Sequence, residues 1–204
     1  MSTDKIESMG RKRTDLKERV LSAAGRLFYQ QGFPNTGISQ IVSEANTNKA
    51  SFYLYYNSKN DLGRDYITRS NRALIRQSVS IMRKSKNAKH FFFLWIGLLK
   101  RNVRNNSGFN GCPLANYYSQ LENSRKEDRE FVHRLMMRWI SVLTCYFERE
   151  RESGRLHTDL PTSALARMTY SIHQGAMISW KLTGNVKMVD DAYVTLCRML
   201  NEKI

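Results

Sequence analysis

Small, polar and basic residues cluster between Ile38 and Tyr56, at a spacing that offers hydrogen-bond donors and acceptors from the end of one short helix. Ile38, Ile41, Val42 and Ala45 recur on one side of a helical segment, Asn46-Thr47-Asn48 interrupts it, and a second short helix is expected from about Lys49 to Tyr56. Two short helices joined by a three-residue turn form a helix-turn-helix, whose second helix enters the DNA major groove with its first residues against base edges. Spacing alone also fits helical hairpins that bind nothing. The other reactive residue types are scattered. The four histidines have no ligand spacing, and Cys112, Cys145 and Cys197 lie far apart without a CxxC, so neither a metal site nor a disulfide framework is expected and the thiols are read as reduced. The sequence holds no nucleophile elbow, phosphate loop, HExxH or paired-carboxylate arrangement, which argues against an enzyme, and no cofactor is expected.

The elements that must position this cluster read as helices throughout, with no alternating strand pattern, so the fold class is all-α with about nine helices. The first helix is capped by Thr14 or Asp15, carries Leu16, Val20, Ala23, Ala24, Leu27 and Phe28, and is ended by Gly32 and Pro34. After Ser58, a long helix from Lys59 to about Arg83 is expected to link two domains. An apolar helix spans His90 to Val103, a loop follows to Pro113, and later helices run over about 124–152, 161–183 and 186–201. This reading divides the chain into a flexible basic arm (1–13), a helix-turn-helix domain (14–60) and a helical-bundle domain (61–204). No stretch approaches the roughly 18 apolar residues of a membrane span, and the N-terminus lacks the apolar run of a secretory signal. A soluble, cytoplasmic protein without a membrane partner is expected.

The net charge of +15 and pI near 10.0 call for a polyanionic partner. Over residues 61–110, Lys and Arg outnumber Asp and Glu by 11 to 2, so most of the excess lies outside the helix-turn-helix. A solvated face and a charge-driven, non-specific nucleic-acid binder are the alternative readings, and the basic segment could attract DNA or a ligand.

From Arg19 to Leu62 the sequence RVLSAAGRLFYQQGFPNTGISQIVSEANTNKASFYLYYNSKNDL resembles the N-terminal domain of the TetR family of transcriptional regulators. The resemblance rests on the LF–QGF close of the first helix, the ISQIV opening of the second, and Tyr53, Tyr56, Ser58-Lys59 and Leu62 in the last segment. It implies that Asn48, Lys49, Ala50, Ser51, Leu54 and Tyr55 face the groove and that Tyr53 and Lys59 hold phosphates. Thr36 and Ser39 are further candidates for backbone contact. Lys49 can donate to guanine or phosphate, Asn48 and Ser51 can donate or accept, and Ala50 can touch a thymine methyl. Tyr53 and Tyr56 are alternatively core aromatics, and Arg11-Lys12-Arg13 is either a DNA-contacting arm or a solvated terminus. The sequence departs from the family at Asn46, usually glycine, where asparagine tolerates a left-handed turn. It departs again at Leu54, where a polar or aromatic residue is common.

Beyond residue 63, GCPLANYYSQ (Gly111 to Gln120) and SGRLHTDLPTSALARMTYSIHQGAMISW (Ser153 to Trp180) resemble segments of the family's ligand-binding and dimerisation domain. The resemblance implies a homodimer in which the last two helices pair with a partner's. Leu165, Met168, Ile172, Ala176 and Ser179 are the candidates on the first, and Val189, Tyr193, Leu196 and Leu200 on the second. It implies a repressor that binds a palindromic operator in double-stranded DNA and is released by a small-molecule effector. Tyr66, Phe92, Trp95, Cys112, Tyr117, Met136, Trp139, Tyr170, His173 and Met177 are candidates to line the effector cavity, with plain core packing as the alternative. His133 and His173 are read as ligand-orienting groups, pH-sensitive switches or structural histidines, and Cys112 as a reactive or an ordinary thiol.

Overall fold

The computed structural model describes residues 3–105, 108–121 and 126–200, with side chains described from Asp15 onward. Among the described residues there are nine helices and no strand: α1 (Thr3–Gln31), α2 (Ile38–Glu44), α3 (Lys49–Tyr53), α4 (Lys59–Lys84), α5 (Ala88–Arg104), α6 (Pro113–Ser119), α7 (Lys126–Glu152), α8 (Thr162–Thr183) and α9 (Lys187–Arg198). The all-α expectation therefore stands. The stop signals act where the sequence has them. Gly32 adopts φ +92° immediately after α1, a conformation that closes a helix and costs glycine little. Ser58 Oγ accepts from the Asp61 N–H at 3.1 Å at the start of α4, and Asn87 Oδ1 accepts from the His90 N–H at 2.9 Å at the start of α5, satisfying donors that no helical carbonyl can reach.

Two boundaries differ from expectation. The expected flexible arm is helical in its backbone, because α1 begins at Thr3 rather than at Thr14 or Asp15. That segment holds no proline, and its Lys, Arg, Glu and Met residues are good helix formers. The side chains of Arg11-Lys12-Arg13 lie outside the described residues. At the other boundary, α3 stops at Tyr53 rather than Tyr56, since the Tyr55 and Tyr56 N–H groups both turn back on Phe52 O, at 3.0 and 3.1 Å.

The chain forms two compact units, residues 1–70 with 113–124, and residues 71–112 with 125–204. The first thus includes the opening turns of α4 and all of α6, beyond the expected 14–60. Its core is a set of edge-on and tilted aromatic contacts: Phe28 meets Phe33 and Tyr66 at 5.0 and 5.6 Å between ring centroids, and Phe33 meets Tyr117 at 5.1 Å. The second unit packs α7 on α8, α8 on α9 and α5 on α9. Phe91, Phe92, Leu143, Phe147, Leu165, Leu196 and Leu200 fill its centre, and an ion pair between Lys100 and Asp190 joins α5 to α9.

Candidate nucleic-acid interface

Helix α3 has five residues, too few to be stable alone, since an isolated helix needs about 12–15 residues to persist in water. Its position is therefore imposed by neighbours. Behind it, Phe52 is fully buried and Tyr56 nearly so. The two rings lie 5.8 Å apart, and Tyr56 Oη donates to Asp65 Oδ2 of α4 at 2.9 Å. Burial and that carboxylate both hold the Tyr56 phenol well above its ordinary pKa. Tyr56 is thus a core anchor rather than a DNA ligand.

In front, the turn from α2 is a Schellman motif. The Thr47 N–H reaches Val42 O at 2.8 Å and the Asn46 N–H reaches Ser43 O at 3.0 Å, with Asn46 left-handed at φ +49°. This is the left-handed turn expected for Asn46 from the sequence, a conformation that asparagine tolerates better than most side chains. From α1, the Arg19 guanidinium donates to Ala45 O at 3.2 Å and Asn46 O at 3.1 Å. Sequence reasoning missed Arg19, because its partners lie 26 and 27 residues away and no periodicity joins them.

Helical geometry then leaves Lys49, Ala50, Tyr53 and Leu54 on the open side of α3, with Asn48 at its start. Tyr53 is 53% and Leu54 68% exposed. Leu54 is thus the most open large apolar residue of this element, and an apolar side chain there suits a thymine methyl. Asn48 is the N-cap, its Oδ1 accepting from the Ser51 N–H at 2.9 Å, so that oxygen is committed to the helix. Ser51 and Tyr55 are half-buried, and Ser39 is exposed in the first turn of α2.

Two expected backbone-contact residues turn inward. Thr36 is fully buried, and its hydroxyl donates to Gly32 O at 2.8 Å. Lys59 sends its ammonium to Phe33 O at 3.0 Å and Thr36 O at 3.1 Å, 4.5 Å from the centre of the Phe33 ring. Neither side chain is presented as a phosphate ligand.

The expected cavity residues do not form one group. Tyr66 and Tyr117 belong to the first unit, against Phe28 and Phe33. In the second unit Phe92 and Met177 are buried core, and Met136 and Cys112 are half-buried. Trp95, Trp139, Tyr170 and His173 do come together: Trp95 stacks on His173 at 3.9 Å and tilts against Trp139 at 5.2 Å, and Trp139 meets Tyr170 at 5.4 Å. Although His173 is only half-buried as a residue, the burial of its ring pushes the imidazole pKa down to about 3, so it is neutral. An open groove of about 530 Å³ lies elsewhere in this unit, lined by Ile81, Phe93, Leu94 and Leu98 with Lys84 and Arg101 among others, and none of the expected residues borders it.

Of the expected pairing residues, Leu165, Ala176, Val189, Leu196 and Leu200 are buried inside the unit. Met168 is exposed, and Ile172, Ser179 and Tyr193 are half-buried. The open face of α8 instead runs through Met168, Ser171, Gly175, Ile178 and Leu182, with Ile178 50% and Leu182 80% exposed. Ile178 and Leu182 were missed because α8 is apolar on two sides, and periodicity alone does not say which side faces in. Among the described residues no cluster of His, Cys, Asp and Glu could hold a metal ion, and no helix is long and apolar enough to cross a membrane.

Residues 20–65 match the family model of bacterial regulatory proteins, tetR family. The chain is 25% identical to the HTH-type transcriptional regulator LmrA of Bacillus subtilis (strain 168) over 141 residues, 69% of this chain and 73% of that protein. It is 21% identical to the HTH-type transcriptional repressor DhaR of Mycobacterium sp. (strain GP1) over 183 residues, 87% and 88% of the two chains. Its fold is that of the E. coli NemR reduced-form crystal structure, with a TM-score of 0.78 at 20% identity, covering 91% of this chain and 97% of that one.

Proposed function

We propose, from the premise that this chain belongs to the TetR family of DNA-binding transcriptional regulators, that it acts as a dimer on a two-fold symmetric operator, each copy laying the open face of α3 in a major groove. The single observation that carries the reading is that face: Lys49, Ala50, Tyr53 and Leu54 outward, with Phe52 and Tyr56 fixing the helix from behind. Asn48, Lys49, Ala50, Ser51, Tyr53, Leu54 and Tyr55 are the contact residues of this proposal, with Ser39 at the front of α2. Lys49 supplies donors, and Ala50 and Leu54 supply apolar contact to thymine methyls. One recognition helix reads only a few base pairs, so two copies spaced by a DNA turn are needed for a useful specificity ratio. The exposed apolar face of α8 supports the pairing.

Two relatives are named repressors, and repression relieved by a small molecule is the proposed mode of control. The effector binds in the second unit and favours the DNA-incompetent state by a few kcal/mol, which suffices for release. Helix α4 contributes residues to both units and is their continuous link.

The basic excess of residues 61–110 favours one rival, a charge-driven binder without sequence preference. Titrating salt against operator and random DNA separates them. A regulator keeps a large specificity ratio, whereas parallel loss on both DNAs would overturn the proposal. Lys49→Ala is expected to weaken operator binding by about 10- to 100-fold, the worth of one good base contact.

A further inference from the structure

The connection between α1 and α2, residues 32–36, is held by two side chains that lie far from it in sequence. The Lys59 ammonium meets three carbonyls, Phe33 O at 3.0 Å, Thr36 O at 3.1 Å and Pro34 O at 3.5 Å. An ammonium has three N–H donors, and the two shorter contacts, to Phe33 O and Thr36 O, fix it on the turn. The Phe33 N–H donates to Gln120 Oε1 at 2.9 Å, across 87 residues. Because the donor is a backbone N–H, the group that receives it must be the amide oxygen.

The surroundings leave little slack. A Cβ on Gly32, already at φ +92°, would stand 3.1 Å from Gln120 Oε1. A Cβ on Gly63 would stand 2.8 Å from the Phe33 ring and 2.9 Å from Tyr117. The Thr36 hydroxyl closes the turn on Gly32 O at 2.8 Å. Two residues further on, α2 begins at Ile38, and through the Asn46 turn α2 sets the position of α3. A short helix aimed from such a chain of contacts inherits any error in the turn.

We infer that Lys59 and Gln120 are positioning residues for base reading, which hold the 32–36 turn by its carbonyls and by its Phe33 N–H respectively, without touching DNA. The inference rests on α3 being the reading helix. It assigns Lys59 to the turn where its place in the motif would suggest a phosphate ligand, and it assigns to operator recognition a residue far outside the helix-turn-helix. Gln120 lies on the described stretch 113–121, which belongs to the first unit although residues 71–112 and those from 126 onward belong to the second.

The test is DNA binding by the full-length protein with Lys59→Met, Gln120→Met and Gln120→Glu, on operator and random DNA over a range of salt. Methionine keeps the length of both side chains and removes the polar contact, and glutamate keeps an oxygen at position 120 that can accept the Phe33 N–H. Both methionine variants are expected to lose about five- to tenfold in operator affinity, the worth of one net hydrogen bond. Their affinity for random DNA should stay within twofold of wild type, their salt slope should be unchanged, and Gln120→Glu should bind operator like wild type. Amide exchange at Phe33 should quicken in Gln120→Met while that of Val20 and Ala24 holds, which detects loosening of the turn even if overall stability drops. A salt slope smaller by about one in Lys59→Met would make Lys59 a phosphate contact and overturn its assignment. Wild-type operator affinity in Gln120→Met, or equal losses in Gln120→Met and Gln120→Glu, would overturn that of Gln120. Lys49→Ala run alongside distinguishes the premise: if it alone fails to weaken binding, the reading helix is misplaced rather than the clamp.

Discussion

Helices α3 and α8 each expose large apolar side chains, Tyr53 and Leu54 on one, Ile178 and Leu182 on the other, yet they suit different partners. On α3 and its C-cap the apolar Tyr53 and Leu54 lie within about one and a half turns of Lys49 and Ser51, with Asn48 as the N-cap, so donors, acceptors and methyl-sized contacts fall within a span that matches a few base edges. On α8 the open face runs from Met168 to Leu182 by way of Ser171, Gly175 and Ile178, with the exposed Arg167 and Lys181 only at its border. A stripe that long, apolar and regular matches another helix. Exposed apolar surface therefore says that something binds, and the polar residues interleaved with it say what.

The comparison breaks first if the two faces are not independently supported. Phe52→Ala removes the fully buried ring behind α3, and a loss of about 3–5 kcal/mol in stability is expected with operator binding abolished. Thermal or denaturant melting checks the first, and an unchanged operator affinity would contradict the supporting role of the ring. Ile178→Arg on the open face of α8 should weaken dimerisation by at least about 100-fold, or roughly 2.7 kcal/mol, because the interface would enclose an unpaired charge. Sedimentation against concentration measures this, and a dimer as tight as wild type would move the interface elsewhere.

The inner side of α8 sharpens the contrast further through pH. Burial pushes the His173 imidazole down to about 3 in the folded protein, against 6.5 for an ordinary histidine. Its folded-state pKa is depressed, so the unfolded chain takes up the proton first as pH drops. Stability from this site is complete above about 6.5 and is lost between there and about 3, at no more than about 1.4 kcal/mol per pH unit. His173→Phe should flatten that part of the stability profile, and a profile unaltered below pH 6.5 would mean the ring is solvated. The smallest effect is expected at the cap: Asn48→Ala should cost about 1 kcal/mol of stability, with a loss of operator affinity no smaller than stability alone explains.

How far the sequence carries can be judged from particular residues. Gly32, Asn46 and Ser58 announce their turns because local backbone conformation depends on the residue that adopts it, and the helices between them follow from the 3.6-residue period. The Lys49 to Leu54 segment was legible for the same local reason, reinforced by its resemblance to a known family. What stayed hidden was non-local. Arg19, Lys59 and Thr36 each bind backbone carbonyls, which carry no sequence signature, and Gln120 meets Phe33 across 87 residues. Helix α8 shows a second limit: with apolar residues on two sides, Leu165 and Leu182 look alike until one is packed and the other is not. The aromatic residues expected to line a single cavity divided between units because residue type does not encode which core a ring joins.

The stacking of Trp95 on His173 beside Trp139 also gives the protein a built-in optical label. All three tryptophans, at positions 95, 139 and 180, lie in the second unit, while the first carries only tyrosines and phenylalanines as its aromatic residues. Light that only tryptophan absorbs thus excites one half of the molecule alone. Emission will follow that half through melting or ligand addition, and with circular dichroism recording all the helices at once, any lag between the two signals reports the other half without a single dye attached.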